Sequence, residues 1–184
     1  MAVSSHDVAA ALRARIPGLP TKKLHKLLYY CQGHHLATFG EPLFEDPISA
    51  WDMGPVVGTL WFAEKQGTPP STRTDLPEGA LNTIGYVVSR YGRLTGRDLE
   101  HLTHSETPWQ RADAQREPHG SFRIERAWLV EYFQEGGAAD SDDAPLLDTD
   151  DVSRWLQSAQ APASPPTGDD YDALQTRLHQ YLNG

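Results

Sequence analysis

Apolar residues along the chain recur mostly at helical spacing, and the breaks between the runs are rich in proline and glycine. Val8, Leu12 and Ile16 fall on one helical face, with Ser4 or Ser5 placed to cap its start and Pro17-Gly18 to stop it. A longer helix is expected from about Thr21. Its stripe is Leu24, Leu27, Leu28, Cys31 and the ring of His35, with Tyr29 and Tyr30 off the stripe's centre and Gly40 at the C-terminal cap position. The stretch "EPLFEDPISAWD" has two prolines and little helical period, which predicts a short irregular hairpin or extended loop. A helix beginning at Pro55 follows, since proline at a first helical position has no N–H to lose and its φ is preset; Val56, Val57, Leu60 and Trp61 would form its buried side.

After the polar break "TPPSTRTDLPEG", Leu81, Ile84, Val87, Val88 and Tyr91 predict another amphipathic helix, ended by Gly92. Thr95 is placed to cap a shorter one carrying Leu99 and Leu102, and "SETPWQRADA" reads as a further helical piece with Trp109 inward. Ile124 leads into "ERAWLVEYF", where Ala127, Trp128, Leu129, Tyr132 and Phe133 supply a last core-facing helix. The fold class expected is mainly α: a compact multi-helix single domain over 1–135 with a short irregular β-hairpin or loop, followed by a helical C-terminal extension over 136–184.

That extension changes in character. "GGAADSDDAP" and "SAQAPASPPTGDD" have linker composition, and around them lie two amphipathic candidates, one with Val152, Trp155 and Leu156, the other with Tyr171, Leu174, Leu178, Tyr181 and Leu182. Neither buries its stripe alone in water, so each docks either on the parent domain or on a partner. The extension also holds a net charge of −7 out of the chain's −9, a balance that repels nucleic acid and favours a basic protein surface. The 184 residues, 39% of them apolar, suffice for one real core. The first residues have no basic leader followed by an apolar stretch, and no run is long enough to span a membrane, which points to a soluble cytoplasmic protein. The one cysteine excludes an internal disulfide.

Candidate chemistry is sparse. His25, Cys31, His34 and His35 all crowd one helix, adjacent histidines point about 100° apart, and no second cluster closes a zinc shell. The expectation is therefore no metal, with one histidine partly buried and hydrogen-bonded and another at the surface. No nucleophile elbow, P-loop or dinucleotide fingerprint occurs. His101, His104, Ser105 and Glu106 gather as an acid–base group would, yet Ser, Glu and Thr before Pro are also what a helix start requires. Asp52 is a general base or, in the favoured reading, satisfies backbone donors at the turn before Pro55. Lys22, Lys23 and Lys26 form a small basic patch, too little for nucleic-acid binding in an acidic chain. No cofactor and no enzymatic activity are expected.

Several ordered motifs are more specific. K-L-x-K-L-L-Y-Y-x-Q-G at Lys23 to Gly33, G-x-P-L-F at Gly40 to Phe44, P-I-x-A-W-x-x-G-P-V-V at Pro47 to Val57, Tyr91-Gly92, L-T-x-x-x-P-W at Leu102 to Trp109 and Glu131-Tyr132-Phe133 together resemble the Panacea domain of SocA-like antitoxins and phage-associated proteins. The resemblance spans about residues 7 to 135, and it departs from the family pattern at Cys31 and His34. It implies an antitoxin that neutralises a toxin from a neighbouring gene by direct protein contact. The alternatives it carries are an adapter delivering the toxin to a Clp-type protease, or a phage-associated regulator binding DNA. Within this frame Gly33, Gly54, Pro55 and Trp109 are read as structural: Trp51 packs under the turn, Gly54 lets the chain reverse and Pro55 starts the helix. Candidate partner-binding residues are Tyr29, His34, Trp51, Asp52, Trp61, Trp155, Tyr171 and Tyr181, because exposed aromatics are the usual interface anchors.

Overall fold

The computed structural model describes residues 3–136. Among them are seven helices and a three-stranded antiparallel sheet, in the order α1 (Ser5–Arg15), α2 (Thr21–Phe39), β1 (Ile48–Trp51), β2 (Gly54–Val57), α3 (Gly58–Lys65), α4 (Glu78–Tyr91), α5 (Gly96–His104), α6 (Thr107–Asp113), β3 (Phe122–Arg123) and α7 (Arg126–Gln134). The mainly α expectation holds. The segments carrying Trp155, Tyr171 and Tyr181 lie outside the described residues.

α2 is the axis of the domain. It packs against α1, α4, α5, α7 and β2, so it is covered on nearly every side, and Leu24, Leu27, Leu28, Tyr29, Tyr30 and Cys31 are all fully buried. A helix buried all round needs apolar residues off its main stripe, which is why its periodicity understates its burial. Tyr29, expected to face a partner, is therefore corrected to a core residue.

Local sequence explains most boundaries. Ser4 caps α1 in a reciprocal box with Asp7, whose carboxylate also accepts from Ser71 at 2.5 Å and ties the α3–α4 connection to the start of α1. Thr95 caps α5 in the same way with Asp98. α2 ends on Gly40 in the left-handed region, where glycine carries no Cβ penalty.

The segment after β1 differs from expectation. Trp51 pairs with Gly54, Ala50 with Pro55, Ser49 with Val56 and Ile48 with Val57, so Asp52-Met53 is a two-residue hairpin turn and Pro55 lies in a strand. The helix starts three residues later, at Gly58. The preset φ of proline suits an edge strand as well as a helix start, and β2 is an edge in the order β2-β1-β3. The β-branched Val56-Val57 pair, buried in full, continues the strand. β3, two residues long, joins the other side of β1 through Ser49↔Arg123 and Ala50↔Phe122.

Gly54 has φ +98°, and a Cβ there would sit 2.7 Å from Lys26 Cε. Gly54→Ala is expected to lower stability by about 2 kcal/mol in urea titration, from the left-handed backbone and the collision together. Wild-type stability in that variant would show that the turn relaxes at no cost.

Candidate functional site

The ordered motifs of the sequence meet one another in space. Gln32 of α2 accepts from the backbone N–H groups of Leu43 (3.0 Å) and Phe44 (3.3 Å) and donates to the Phe44 carbonyl (2.9 Å), so its side chain serves as a substitute strand for the "PLF" segment. Gly33 lies under Phe133, whose ring is 2.2 Å from where a Cβ would stand. Lys23 donates to the Gly92 carbonyl at 2.6 Å, at the C-terminal end of α4.

Glu106 is the centre of a buried polar cluster. It is 2% exposed, Tyr29 donates to its Oε2 and Tyr30 to its Oε1, both at 2.7 Å. Burial pushes its carboxyl up to about 7, against the two hydroxyl bonds that stabilise the anion. Tyr30 stacks on Tyr91 at 4.0 Å. His34 is half-buried, with Nε2 3.0 Å from the Tyr91 hydroxyl and its ring against Phe133 and Tyr86. Burial holds His34 down near 4, so it is neutral at physiological pH. His35 pairs with Thr83 through Nδ1 at 2.9 Å.

The acid–base group read from "HLTHSE" does not assemble. Glu106 is sealed beneath the two tyrosines, His104 stacks on Trp109 at 3.9 Å, and His101 is exposed. The capping reading of Glu106 is also corrected: it occupies the N-cap of α6, but its side chain makes no cap bond and points to the core. Trp109 is buried, with an Nε1 that has no partner among the described residues. No group of three or more His, Cys, Asp or Glu side chains that could hold a metal occurs among the described residues.

The other locus lies where the hairpin and α3 meet α2. Trp51 is half-buried rather than packed under the turn; its Nε1 donates to Ser121 at 3.1 Å and its ring meets Trp61 edge-on at 5.3 Å. Trp61 in turn meets Phe62 at 5.0 Å, and Lys65 Nζ sits 4.6 Å over the Trp61 ring. Met53 and Phe62, 57% and 54% exposed, extend the apolar surface outward. Asp52 accepts from Arg116 at 2.5 Å and from His119 at 2.8 Å, so it clamps the segment before β3 and does not satisfy donors of its own turn.

Between these walls runs a groove of about 420 Å³ lined by Thr21, Lys22, His25, Lys26, Trp51, Asp52, Met53, Val56, Trp61, His119 and Gly120. The basic patch expected from Lys22, Lys23 and Lys26 is not a patch. Lys22 pairs with Glu100, Lys23 holds Gly92, and Lys26 is 1% exposed with the Pro55 carbonyl, at 3.4 Å, as its acceptor. Burial pushes Lys26 down to about 8, against the pull of Glu100. His25 Nδ1 accepts from the Val57 N–H at 3.3 Å, which leaves the proton of the neutral ring on Nε2, an atom without a partner. Met53 and Phe62 carry no signal in the sequence, and His25 and Lys26, weighed there as a metal ligand and part of a basic patch, line the groove instead. Lys26 and His25 sit among apolar α2 residues, and their burial depends on β2 covering that face.

Fold and site define a small helical domain built on one buried helix, with an aromatic face left open beside a lysine-floored groove. Residues 24–110, a little under half of the chain, match the family model of the antitoxin SocA-like Panacea domain. The motifs at 131–133 fall beyond the matched span, although Phe133 closes on Gly33 within it. No curated protein and no solved structure matches. None of the helices among the described residues is long and apolar enough to cross a membrane.

Proposed function

We propose that this chain is a non-enzymatic antitoxin that neutralises the toxin of a neighbouring gene by direct contact. The family match supports the antitoxin role and a protein partner. The observation that carries the contact surface is the open cluster of Trp51, Met53, Trp61 and Phe62, since large apolar side chains left at the surface of a folded domain are the usual anchors of a protein interface.

Expression of the adjacent reading frame alone is expected to arrest growth, and co-expression with this chain to restore it. Phe62→Asp, at a side chain that is more than half exposed, should leave thermal unfolding unchanged and abolish rescue. Normal growth with the neighbour alone overturns the antitoxin role. Rescue by Phe62→Asp overturns the surface.

A further inference from the structure

We propose that the groove beside the Trp51–Trp61 pair is a binding site for a small apolar anion, a carboxylate or phosphate carried on a flat apolar body. This goes beyond the antitoxin reading and does not depend on it. The body fits the walls, which are Trp51, Met53, Val56 and Trp61, and the volume of about 420 Å³ lies in the range of small-molecule sites. The anion fits the floor. An ammonium has three N–H donors, and Lys26 uses one on a long contact to the Pro55 carbonyl. Glu100, the carboxylate whose charge it feels, is engaged by Lys22. A second donor, His25 Nε2–H, is buried in a groove-lining residue with no acceptor among the described residues.

Buried donors without acceptors are costly to keep, and a buried ammonium without a carboxylate more so. Packing does not require them here, because a methionine would fill the space of the Lys26 stem beside Gly54 without that cost. Both donors are nearly sealed from solvent, so an incoming anion reaches them by displacing the groove-lining side chains above, supplies the missing acceptor, and gains from the low polarity around it. Asp52 does not occupy this role, since both its oxygens are held by Arg116 and His119 at the rim.

The test uses the full chain and three probes of matched shape: 3-phenylpropionate, phenyl phosphate and the neutral 3-phenylpropanamide. Binding is followed by calorimetry and by the indole N–H resonances of the tryptophans. At least one anion is expected to saturate at millimolar concentration and to bind about tenfold or more tighter than the amide, the difference that one charge-assisted hydrogen bond provides. The Trp51 and Trp61 resonances should shift and that of Trp109 should not. Lys26→Met should remove the preference for the anion while keeping or raising thermal stability, whereas a lysine retained for structure would lower it. Trp51→Leu, at a half-exposed position, should weaken the anion several-fold with Lys26 in place. Equal binding of anion and amide, absence of saturation by both anions, or an unchanged preference in Lys26→Met each overturns the site.

Discussion

Glu106→Ala is expected to cost about 3–5 kcal/mol of unfolding free energy in denaturant titration, a large fraction of the roughly 5–15 kcal/mol that holds a domain folded. The substitution removes the acceptor of two fully buried hydroxyls, Tyr29 and Tyr30, and opens a hole beneath the helix on which α1, α4, α5, α7 and β2 pack. Glu106→Gln keeps one carbonyl acceptor and the volume, so its cost should be about 1 kcal/mol. Both variants also differ from the wild type in their pH dependence, since each lacks the carboxyl. The folded value near 7 lies above the 4.5 of an ordinary glutamate, so the contribution of this group is full below about pH 4.5 and is lost as pH rises through about 7. That loss amounts to roughly 3 kcal/mol for a shift of this size.

His25 and His34 act in the opposite sense. Both are held down near 4 in the fold by burial, with Lys26 adding for His25 and Arg90 for His34, so their contribution is present above about 6.5 and lost as pH falls through about 4. The wild-type profile is the sum of these trends, and the difference between wild type and Glu106→Gln isolates the carboxyl. A difference that does not change from pH 4.5 to 7.5 would show that Glu106 is ionised throughout.

Gly33→Ala is the second large effect, and its sign is the informative part. In an ordinary helix interior the change stabilises by about 1 kcal/mol. Here the new methyl would stand 2.2 to 2.6 Å from three ring atoms of Phe133, so the aromatic ring or α7 must move, at an expected cost of about 3 kcal/mol. Phe133 also meets Tyr29, Tyr30 and His34, so displacement spreads into the cluster around Glu106. Phe133→Leu makes room, and in the double variant the penalty of Gly33→Ala should shrink by at least about 1 kcal/mol. A Gly33→Ala protein as stable as wild type would mean that α2 and α7 approach less closely than the ring contact requires.

The elements were legible wherever the signal is local. Ser4 with Asp7, Thr95 with Asp98 and the Gly40 cap each involve residues within a turn of one another, and the stripes of α1 and α4 repeat at helical spacing. The sequence predicts an irregular hairpin and a helix from Pro55 where the structure has a strand, because Pro55 suits both and only pairing with β1 decides between them. β3 left no signal at all. Two residues have no period, and they become a strand because β1 offers a free edge.

For the site the division is sharper. The sequence by itself determined the ordered motifs that resemble the Panacea domain, matched by its family model over residues 24–110, the aromatic character of Trp51 and Trp61, and the lack of the usual nucleophile, phosphate-binding and metal patterns. Tertiary structure alone decided which motif residues are partners: Gln32 with Leu43-Phe44, Gly33 with Phe133, Lys26 with Gly54-Pro55, and Tyr29-Tyr30 with Glu106. Those pairs lie 11 to 100 residues apart along the chain. Periodicity reports which face of a helix is apolar, but burial of Lys26, Tyr29 and Glu106 depends on what covers the remaining faces, and that covering is built from elements distant in the chain.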